Sequence, residues 1–141
     1  MEINFKISDK LPPESRMIRT TVFVNEQGFN EEFDKDDDKA LHILMYADKK
    51  AIGNARVIYS NEHNCYTIGR FAILKPYRGL KLGSRLLLYV EDVIKEKYGP
   101  IEVGISSQER AIGFYLKNGY TLTGETYLDE NYPHYFMVKK L

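Results

Sequence analysis

A glycine-containing turn between a strand-like run and a long amphipathic helix pattern constrains this chain most. The run from 66 to 74 is rich in aromatic and β-branched residues, and helical spacing of apolar residues continues from the turn to about Tyr98. Gly79 and Gly83 let the backbone approach a bulky group closely, and a helix start offers unpaired N–H groups at its positive end. The turn therefore predicts an anion site, most simply for a phosphate. Nearby cationic side chains would favour it: Arg78, Lys81 and Arg85.

The composition is that of an ordinary globular domain. The chain has 141 residues, of which 43% are hydrophobic and 28% are charged, enough for a single domain with a full core. Lys and Arg together number 20, as do Asp and Glu, and this balance argues against a dedicated nucleic-acid binder. The lone cysteine, Cys65, excludes an intrachain disulfide, and no apolar run reaches transmembrane length. The N-terminus lacks the features of a signal peptide, so we expect a cytoplasmic protein.

The order of predicted elements indicates a mixed α/β domain spanning 1–141. Polar turns separate three consecutive strands, which predicts an antiparallel meander before the glycine turn. Ser106 and Glu109 fit a capping box at the start of the last helix. The predicted elements in chain order are a strand at 2–7, a helix from Pro13 to about Asn25, an acidic loop at 31–39, strands at 40–47, 51–59 and 65–74, a helix from the turn to Tyr98, a strand at 101–105, a helix to Asn118, and strands at about 120–127 and 134–140.

The glycine turn alone does not identify its ligand. The spacing of Gly79 and Gly83 also fits a tight turn in which the glycines serve packing. No acidic residue follows at the distance of the dinucleotide-binding fingerprint, and the preceding strands form a meander rather than βαβ units. The turn also lacks the Gly-Lys-Ser/Thr of a nucleoside triphosphate loop. Two common phosphate ligands are thus disfavoured, and the residues leave the remaining ones open.

Three segments make the sequence resemble the GNAT family of N-acetyltransferases. They are Gly-Arg-Phe-Ala-Ile at 69–73, Tyr-Arg-Gly-Leu-Lys-Leu-Gly at 77–83, and the run at 107–120. Their spacing and order are similar to the family over essentially the whole chain. The run at 22–27, followed by the acidic loop and His42, resembles a bacterial subgroup of small GNAT proteins with poorly defined substrates. The resemblance implies the GNAT fold, in which helices flank a central mixed and mostly antiparallel sheet.

The resemblance implies acetyl-coenzyme A as the acetyl donor and no metal. The donor's pyrophosphate would rest on backbone N–H groups from Arg78 to Ser84, and Gln108 stands where the family often has an asparagine that binds the pantetheine arm. Lys81 departs from the family, which usually has glycine or alanine at this position. A lysine side chain there needs additional space, and its ammonium group could contact a phosphate of the donor. The implied cofactor-binding residues are Phe71, Ala72, Ile73, Arg78, Gly79, Leu80, Lys81, Leu82, Gly83, Ser84 and Gln108.

Acetyl transfer to an amine needs a polarised thioester carbonyl, a neutral amine and a proton for the departing thiolate. The resemblance implies that a backbone N–H within 71–73 polarises the thioester carbonyl and that Tyr115 donates the proton to the thiolate. Spacing alone would predict that Tyr115 is a core aromatic. The general base stays open. Glu26, at the end of the first helix, is one candidate for base and substrate contact. His42 and His134 are the others, and water could also relay the proton.

The acidic loop has three interpretations. Asp34, Asp36 and Asp38 mimic the first ligands of a calcium loop, but Lys39 replaces the required glycine and Met45 the bidentate glutamate. Calcium is therefore excluded. A solvated run of charge, or a wall of the acceptor site that attracts a cationic amine, remain as alternatives.

The combined reading is an acetyl-coenzyme A-dependent N-acetyltransferase in which a primary amine attacks the thioester directly in a ternary complex. The acceptor would be a small-molecule or peptide amine, with no nucleic-acid or membrane partner, and dimers are common in the resembling family. Two alternatives remain, a non-catalytic acyl-coenzyme A sensor that regulates a partner protein and a structural domain without a ligand.

Overall fold

A single sheet organises the protein in a computed structural model that describes residues 1–30 and 33–141. Its strands are β1 (Ile3–Ser8), β2 (Leu41–Ala47), β3 (Lys50–Ser60), β4 (Cys65–Ile73), β5 (Glu102–Gln108), β6 (Thr121–Asp129) and β7 (Tyr132–Lys140). They lie in the order β1-β2-β3-β4-β5-β7-β6. Neighbours are antiparallel except β4 and β5, which are parallel. The predicted mixed and mostly antiparallel sheet is confirmed.

Helices cover both faces of this sheet. They are α1 (Pro13–Arg19), α2 (Leu82–Tyr98) and α3 (Ile112–Lys117), and α1 continues into a π-helical segment, Thr20–Glu26. The π segment ends where the Gln27 N–H donates to the Val22 carbonyl at 3.0 Å, five residues back. Short 3₁₀ turns lie at Lys35–Asp38, Lys75–Tyr77 and Glu109–Ala111.

The hairpins of the sheet follow from local backbone chemistry. Asp48 and Lys49, between β2 and β3, both have positive φ, at 48° and 71°. Two successive positive φ values define the turn whose twist matches two antiparallel strands. Glu130 and Asn131 repeat this arrangement between β6 and β7, with φ of 47° and 70°. The predicted polar turn after β2 is thus confirmed.

The core lies on both sides of β2 and β3. On one face Ile43 and Met45 pack in a cluster with α2, while Leu44, on the opposite face, packs with Ile18 of α1. Because neighbouring residues of a strand point to opposite faces, β3 is buried continuously from Ala51 to Val57. This double cover fixes both α1 and α2 to the centre of the sheet.

The sheet opens between β4 and β5. Their parallel pairing joins 66–68 to 103–105 and goes no further. Beyond it, β4 carries a bulge at 70–71, where Arg70 has a φ of 48° and its carbonyl accepts from Asn54 Nδ2 at 3.0 Å. A bulge bends its strand and takes backbone groups out of the ladder. The two strands therefore separate toward the start of α2.

Two local predictions differ from the structure. Ser106 lies within β5 and caps no helix, because β5 extends to Gln108, and no side chain caps the 3₁₀ turn that follows. The predicted acidic loop is replaced from Lys35 to Asp38 by a 3₁₀ turn, with Asp34 capping it. The first two positions of that loop, 31 and 32, lie outside the described residues.

Candidate active site

Two cavities meet on either side of one aromatic wall. The first, here the loop groove, has a volume of about 490 Å³ and follows the turn from Tyr77 to Ser84. The second, here the sheet chamber, has a volume of about 290 Å³ and lies between the separated ends of β4 and β5. Both are lined by Phe71, Ala111 and Tyr115.

The loop groove presents unpaired backbone donors. The first helical bond of α2 runs from the Arg85 N–H to the Lys81 carbonyl at 3.3 Å, so the N–H groups of 82–84 precede it. Within the described residues, the N–H groups of 79–84 donate to no backbone carbonyl. The Arg78 N–H is already engaged with the Lys75 carbonyl at 3.2 Å, so the row of available donors begins one residue later than the sequence predicted.

The backbone of the turn is left-handed at two positions. Gly79 has a φ of 80°, and Lys81, immediately before α2, has a φ of 62°. The Gly83 position is tight, since a Cβ there would lie 3.3 Å from Phe114. The glycines therefore serve both the turn and the contact between α2 and α3.

Two of the predicted cofactor-binding side chains lie outside the cavities. Leu80 is 52% exposed and lines neither, and Ala72 is buried on the α1 face of the sheet. Any contribution they make to ligand binding would come from the backbone.

Arg78 joins the turn to the end of the π segment. Its Nε donates to the Ile73 carbonyl at 2.8 Å, and its guanidinium donates to both oxygens of Glu26, at 2.5 Å and 3.0 Å. This hydrogen bond from Arg78 holds the pKa of Glu26 below its ordinary value. A carboxylate with a lowered pKa is a weaker base, and Glu26 lines neither the loop groove nor the sheet chamber. It lines an adjoining side hollow with Gln108 and Arg110.

Tyr115 separates the two cavities. It is 6% exposed and lies edge-on to Phe71, Phe114 and Tyr120, with centroid distances of 6.3, 5.1 and 5.8 Å. Its hydroxyl forms no hydrogen bond with another residue of the described chain. Burial raises the pKa of Tyr115 well above its ordinary value, so the phenol keeps its proton at neutral pH. Tyr115 is thus a core aromatic that lies beside both cavities, and its role as proton donor stays a prediction.

Polar side chains tie the walls of the sheet chamber together. Gln108 Nε2, at the end of β5, donates to Gln27 Oε1 at 2.9 Å, just beyond the π segment. On the same side the Asn30 N–H donates to Glu130 Oε1 at 2.9 Å, so the β6–β7 hairpin closes against this part of the chain. Gln108 faces the sheet chamber and the side hollow, and its predicted contact with a pantetheine arm stays a prediction.

His134 lines the sheet chamber from β7. Its ring lies 3.0 Å from the Tyr132 carbonyl through Nδ1, and since a carbonyl only accepts, Nδ1 carries the hydrogen. In the neutral ring Nε2 then holds a lone pair, and no residue of the described chain hydrogen-bonds to it. The ring stacks with Tyr127 at 5.9 Å, whose hydroxyl contacts Ser106. The neutral ring therefore carries an acceptor nitrogen, and the predicted substrate contact of His134 stays a prediction.

His42 lies away from both cavities. Its ring is fully buried, its Nε2 donates to the Asp37 carbonyl at 2.9 Å, and burial lowers its pKa. Asp37 itself bonds Arg19 at 2.7 and 3.2 Å and Arg56 at 3.1 Å. The structure thus places His42 in an internal ion-pair cluster and gives its predicted substrate contact no geometric support.

The same cluster changes the interpretation of the acidic loop. Asp34 pairs with Arg56 at 2.8 Å and Arg70 at 3.2 Å, and Asp37 is 5% exposed. These two carboxylates are matched by guanidinium groups and do not form an open acidic surface. Within residues 1–30 and 33–141, no group of three His, Cys, Asp or Glu is arranged to hold a metal ion.

The sequence did not predict several of the residues that line the sheet chamber. Most are aromatic or amide side chains that become neighbours only when β5, β7 and the π segment meet. Arg110 follows Gln108 by two residues, and that proximity is a signal the sequence did offer. The unpredicted lining residues include Phe23, Gln27, Phe29, Arg70, Arg110, Tyr127 and Asp129. In the part of the chain that is described, no helix is long and apolar enough to cross a membrane.

Comparison with known proteins identifies the family of the chain. Residues 12–141 match the family model of the acetyltransferase (GNAT) domain. A Bacillus subtilis (strain 168) protein with a provisional acetyltransferase name is 35% identical over 128 residues, covering 87% of this chain and 85% of that protein.

Solved structures share the fold. Escherichia coli ElaA superposes with a TM-score of 0.86 at 23% identity, over 99% of this chain and 100% of ElaA. An aminoglycoside 6'-N-acetyltransferase complexed with coenzyme A gives 0.72 at 13% identity, over 97% and 96% of the two chains. The fold likeness and the family match confirm the resemblance of the three sequence segments: the chain belongs to the GNAT family and is an N-acetyltransferase.

Proposed function

We propose that this N-acetyltransferase moves an acetyl group from acetyl-coenzyme A to a primary amine, with both substrates bound at once. The observation that supports this most is the junction of the loop groove and the sheet chamber at Phe71 and Tyr115. Reactants held in the two cavities would meet at this wall, and holding them together supplies much of the rate acceleration.

The loop groove fits the acetyl donor. Among the described residues, the charged ones that line it are all cationic, namely Arg78, Lys81 and Lys117, and the backbone donors of 79–84 lie along the same turn. A pyrophosphate is well matched by N–H groups at a helix start together with positive side chains. The related aminoglycoside enzyme, complexed with coenzyme A, has the same fold. Acetyl-coenzyme A would supply the thioester, and no metal is required for the transfer.

The residues also favour direct attack over an acetylated enzyme. Cys65, at the start of β4, is the only cysteine of the chain and lines neither cavity. Burial, and then the charge of Glu102, raises the pKa of its thiol, which disfavours the reactive thiolate. In the proposed reaction the acceptor amine is the nucleophile.

Two protons must move as the C–N bond forms and the C–S bond breaks. In this reaction Tyr115 would give its proton to the departing thiolate. His134 Nε2, alone or through water, would take the proton that the amine loses. Glu26 is the weaker candidate for this second role, since Arg78 occupies its carboxylate. Backbone N–H groups at the bulge, within 71–73, would polarise the thioester carbonyl.

An amine panel with a matched tyrosine pair tests this function. Coenzyme A thiol release is measured with acetyl-coenzyme A for the wild type, Tyr115→Phe and Tyr89→Phe, the last being stacked on Phe5 outside both cavities. We expect turnover of at least one amine, a kcat about 10²–10⁴-fold lower in Tyr115→Phe, and little change in the control. Coenzyme A affinity, measured by calorimetry, should stay within about twofold because only the hydroxyl is removed.

The other outcomes separate the alternatives. Binding of coenzyme A without turnover of any amine would favour the acyl-coenzyme A sensor. No binding at millimolar coenzyme A would exclude both the enzyme and the sensor. Full activity in Tyr115→Phe would remove this residue from the acid role while leaving the reaction in place.

A further inference from the structure

The charges on the sheet chamber wall do not suit a polycation. Its charged lining residues within the described chain are Arg70, Arg110 and Asp129. Arg70 is committed to Asp34 at 3.2 Å and has further interactions. Arg110 and Asp129 form no ion pair with each other or with any other described residue. Among the described residues, the chamber therefore offers one guanidinium and one carboxylate without a direct ion pair, although Arg78 and, more weakly, Arg110 both act on the Glu26 carboxylate of the side hollow.

Arg110 lies where a small polar ligand would be received. It lines both the sheet chamber and the side hollow. Three further residues line both cavities, namely Gln27, Phe29 and Gln108. A guanidinium presents its N–H groups in a planar fork that matches the two oxygens of a carboxylate. The amide side chains of Gln27 and Gln108 add hydrogen-bonding groups beside it. Tyr115 lies on the wall of the same chamber, five residues further along the chain.

The size of the sheet chamber limits what it can enclose. Its volume of about 290 Å³ lies at the lower end of the roughly 300–1,000 Å³ that small-molecule sites usually have. A compact acceptor therefore fits the chamber better than a large one. A free amino acid is of the right size and carries both an amine and a carboxylate.

We infer that the acceptor is an amine that also carries a carboxylate, such as a free α-amino acid, and that Arg110 binds that carboxylate. This inference rests on the function proposed above. Asp129, at the end of β6, complements the ammonium group of the incoming zwitterion. Arg110 would orient the acceptor and set its specificity, and the amine would lie toward Phe71 and Tyr115.

Matched acids and amides test this inference. Initial rates of coenzyme A release are measured with glycine, leucine and phenylalanine, with their three carboxamides, and with spermidine. The amine of a carboxamide is less basic than the amine of the matching acid, so at a given pH a larger fraction of it is neutral and reactive. This difference in reactivity favours the carboxamides. We nevertheless expect kcat/KM for at least one acid to exceed that for its amide by about 10–100-fold, the range of a charge-assisted hydrogen bond.

Variants then assign the preference to Arg110. Arg110→Gln should remove most of the preference by lowering kcat/KM for the acid about 10–100-fold, with the amide changing less than about threefold. Lys6→Gln removes one positive charge from exposed β1 and should keep the preference. Acetyl-coenzyme A affinity should stay the same in both variants, which shows that the protein remains folded.

Three results would overturn the inference. They are equal turnover of acids and amides by the wild type, an equal loss for both in Arg110→Gln, and turnover of spermidine above that of every acid. If Asp129→Asn lowers the turnover of acids and amides while Arg110→Gln changes neither, then Asp129 rather than Arg110 selects the acceptor. Absence of turnover with all seven amines would instead refute acetylation of this class of acceptor, and coenzyme A binding would then show whether the proposed acetyl donor site survives.

Discussion

Lys81 occupies a backbone conformation that favours glycine, at the position where α2 begins. Its φ of 62° places a side chain in the left-handed region, which costs an L-residue roughly 1–2 kcal/mol relative to right-handed backbone. The sequence already indicated that Lys81 is unusual, because the resembling family has glycine or alanine there. The structure supplies the physical reason, and it also shows that the side chain lines the loop groove.

We predict that Lys81→Gly raises the free energy of unfolding by about 1 kcal/mol, because glycine adopts this conformation without a Cβ clash. Lys81→Ala is the matched variant, since it removes the ammonium but keeps the Cβ, and it should be less stable than Lys81→Gly. Urea unfolding measures both. If the ammonium contacts a phosphate, the two variants should raise the KM for acetyl-coenzyme A equally. A Lys81→Gly protein less stable than Lys81→Ala would contradict the prediction.

At the scale of elements, the π segment and the bulge in β4 determine the site, and the sequence predicted neither. Helical spacing predicted a helix from Pro13 to Asn25, and the structure confirms its extent. No proline or glycine marks the change from four-residue to five-residue hydrogen bonding after Arg19. The register shift between Asn54 and Arg56 depends on how β3 and β4 pair, so a local pattern does not contain it. Gln27, which follows the π segment, and Arg70, in the bulge, both line the sheet chamber.

The Glu26–Arg78 pair joins two of these elements, and it gives a prediction about the general base. Both side chains are about a third exposed, so Glu26→Gln should cost only about 0–1 kcal/mol of stability. We expect kcat to stay within about threefold of the wild type, because the lowered pKa of Glu26 makes it a poor base. Arg78→Gln breaks the same pair and serves as the matched variant, and it should raise the KM for acetyl-coenzyme A. A fall of about 100-fold in kcat for Glu26→Gln alone would make Glu26 the base.

At the scale of the whole molecule, one buried ion-pair cluster connects segments far apart in sequence. Arg19 of α1 is fully buried, Asp37 precedes β2, and Arg56 belongs to β3. The sequence predicted the order and number of the strands, since alternation and turn residues are local signals. It did not predict this cluster, because an acidic run looks the same in sequence whether solvent or arginine surrounds it. The carboxylates thought to attract a cationic amine instead include Asp37, which is buried in this cluster, and Asp34, which pairs with two arginines at its edge.

This cluster makes the stability of the protein depend on acidic pH. Burial alone would raise the pKa of Asp37, but hydrogen bonds and charges from Arg19 and Arg56 outweigh it and lower the pKa from 3.8 to about 2. A lowered carboxyl pKa stabilises the folded state fully above the unfolded value, and this contribution disappears as pH falls from about 4 to about 2. The shift corresponds to a stabilisation on the order of 2 kcal/mol at pH 7.

Asp37→Asn tests the cluster directly. It leaves the buried guanidinium of Arg19 without its carboxylate, so we expect a loss of about 3–5 kcal/mol at pH 7, measured by urea unfolding. The difference from the wild type should shrink toward pH 2.5, where Asp37 begins to gain a proton. Asp34→Asn is the matched control, because the Asp34 side chain is 42% exposed and should contribute less than about 1 kcal/mol. Equal losses in the two variants, or a difference that does not vary with pH, would contradict a dominant role for Asp37.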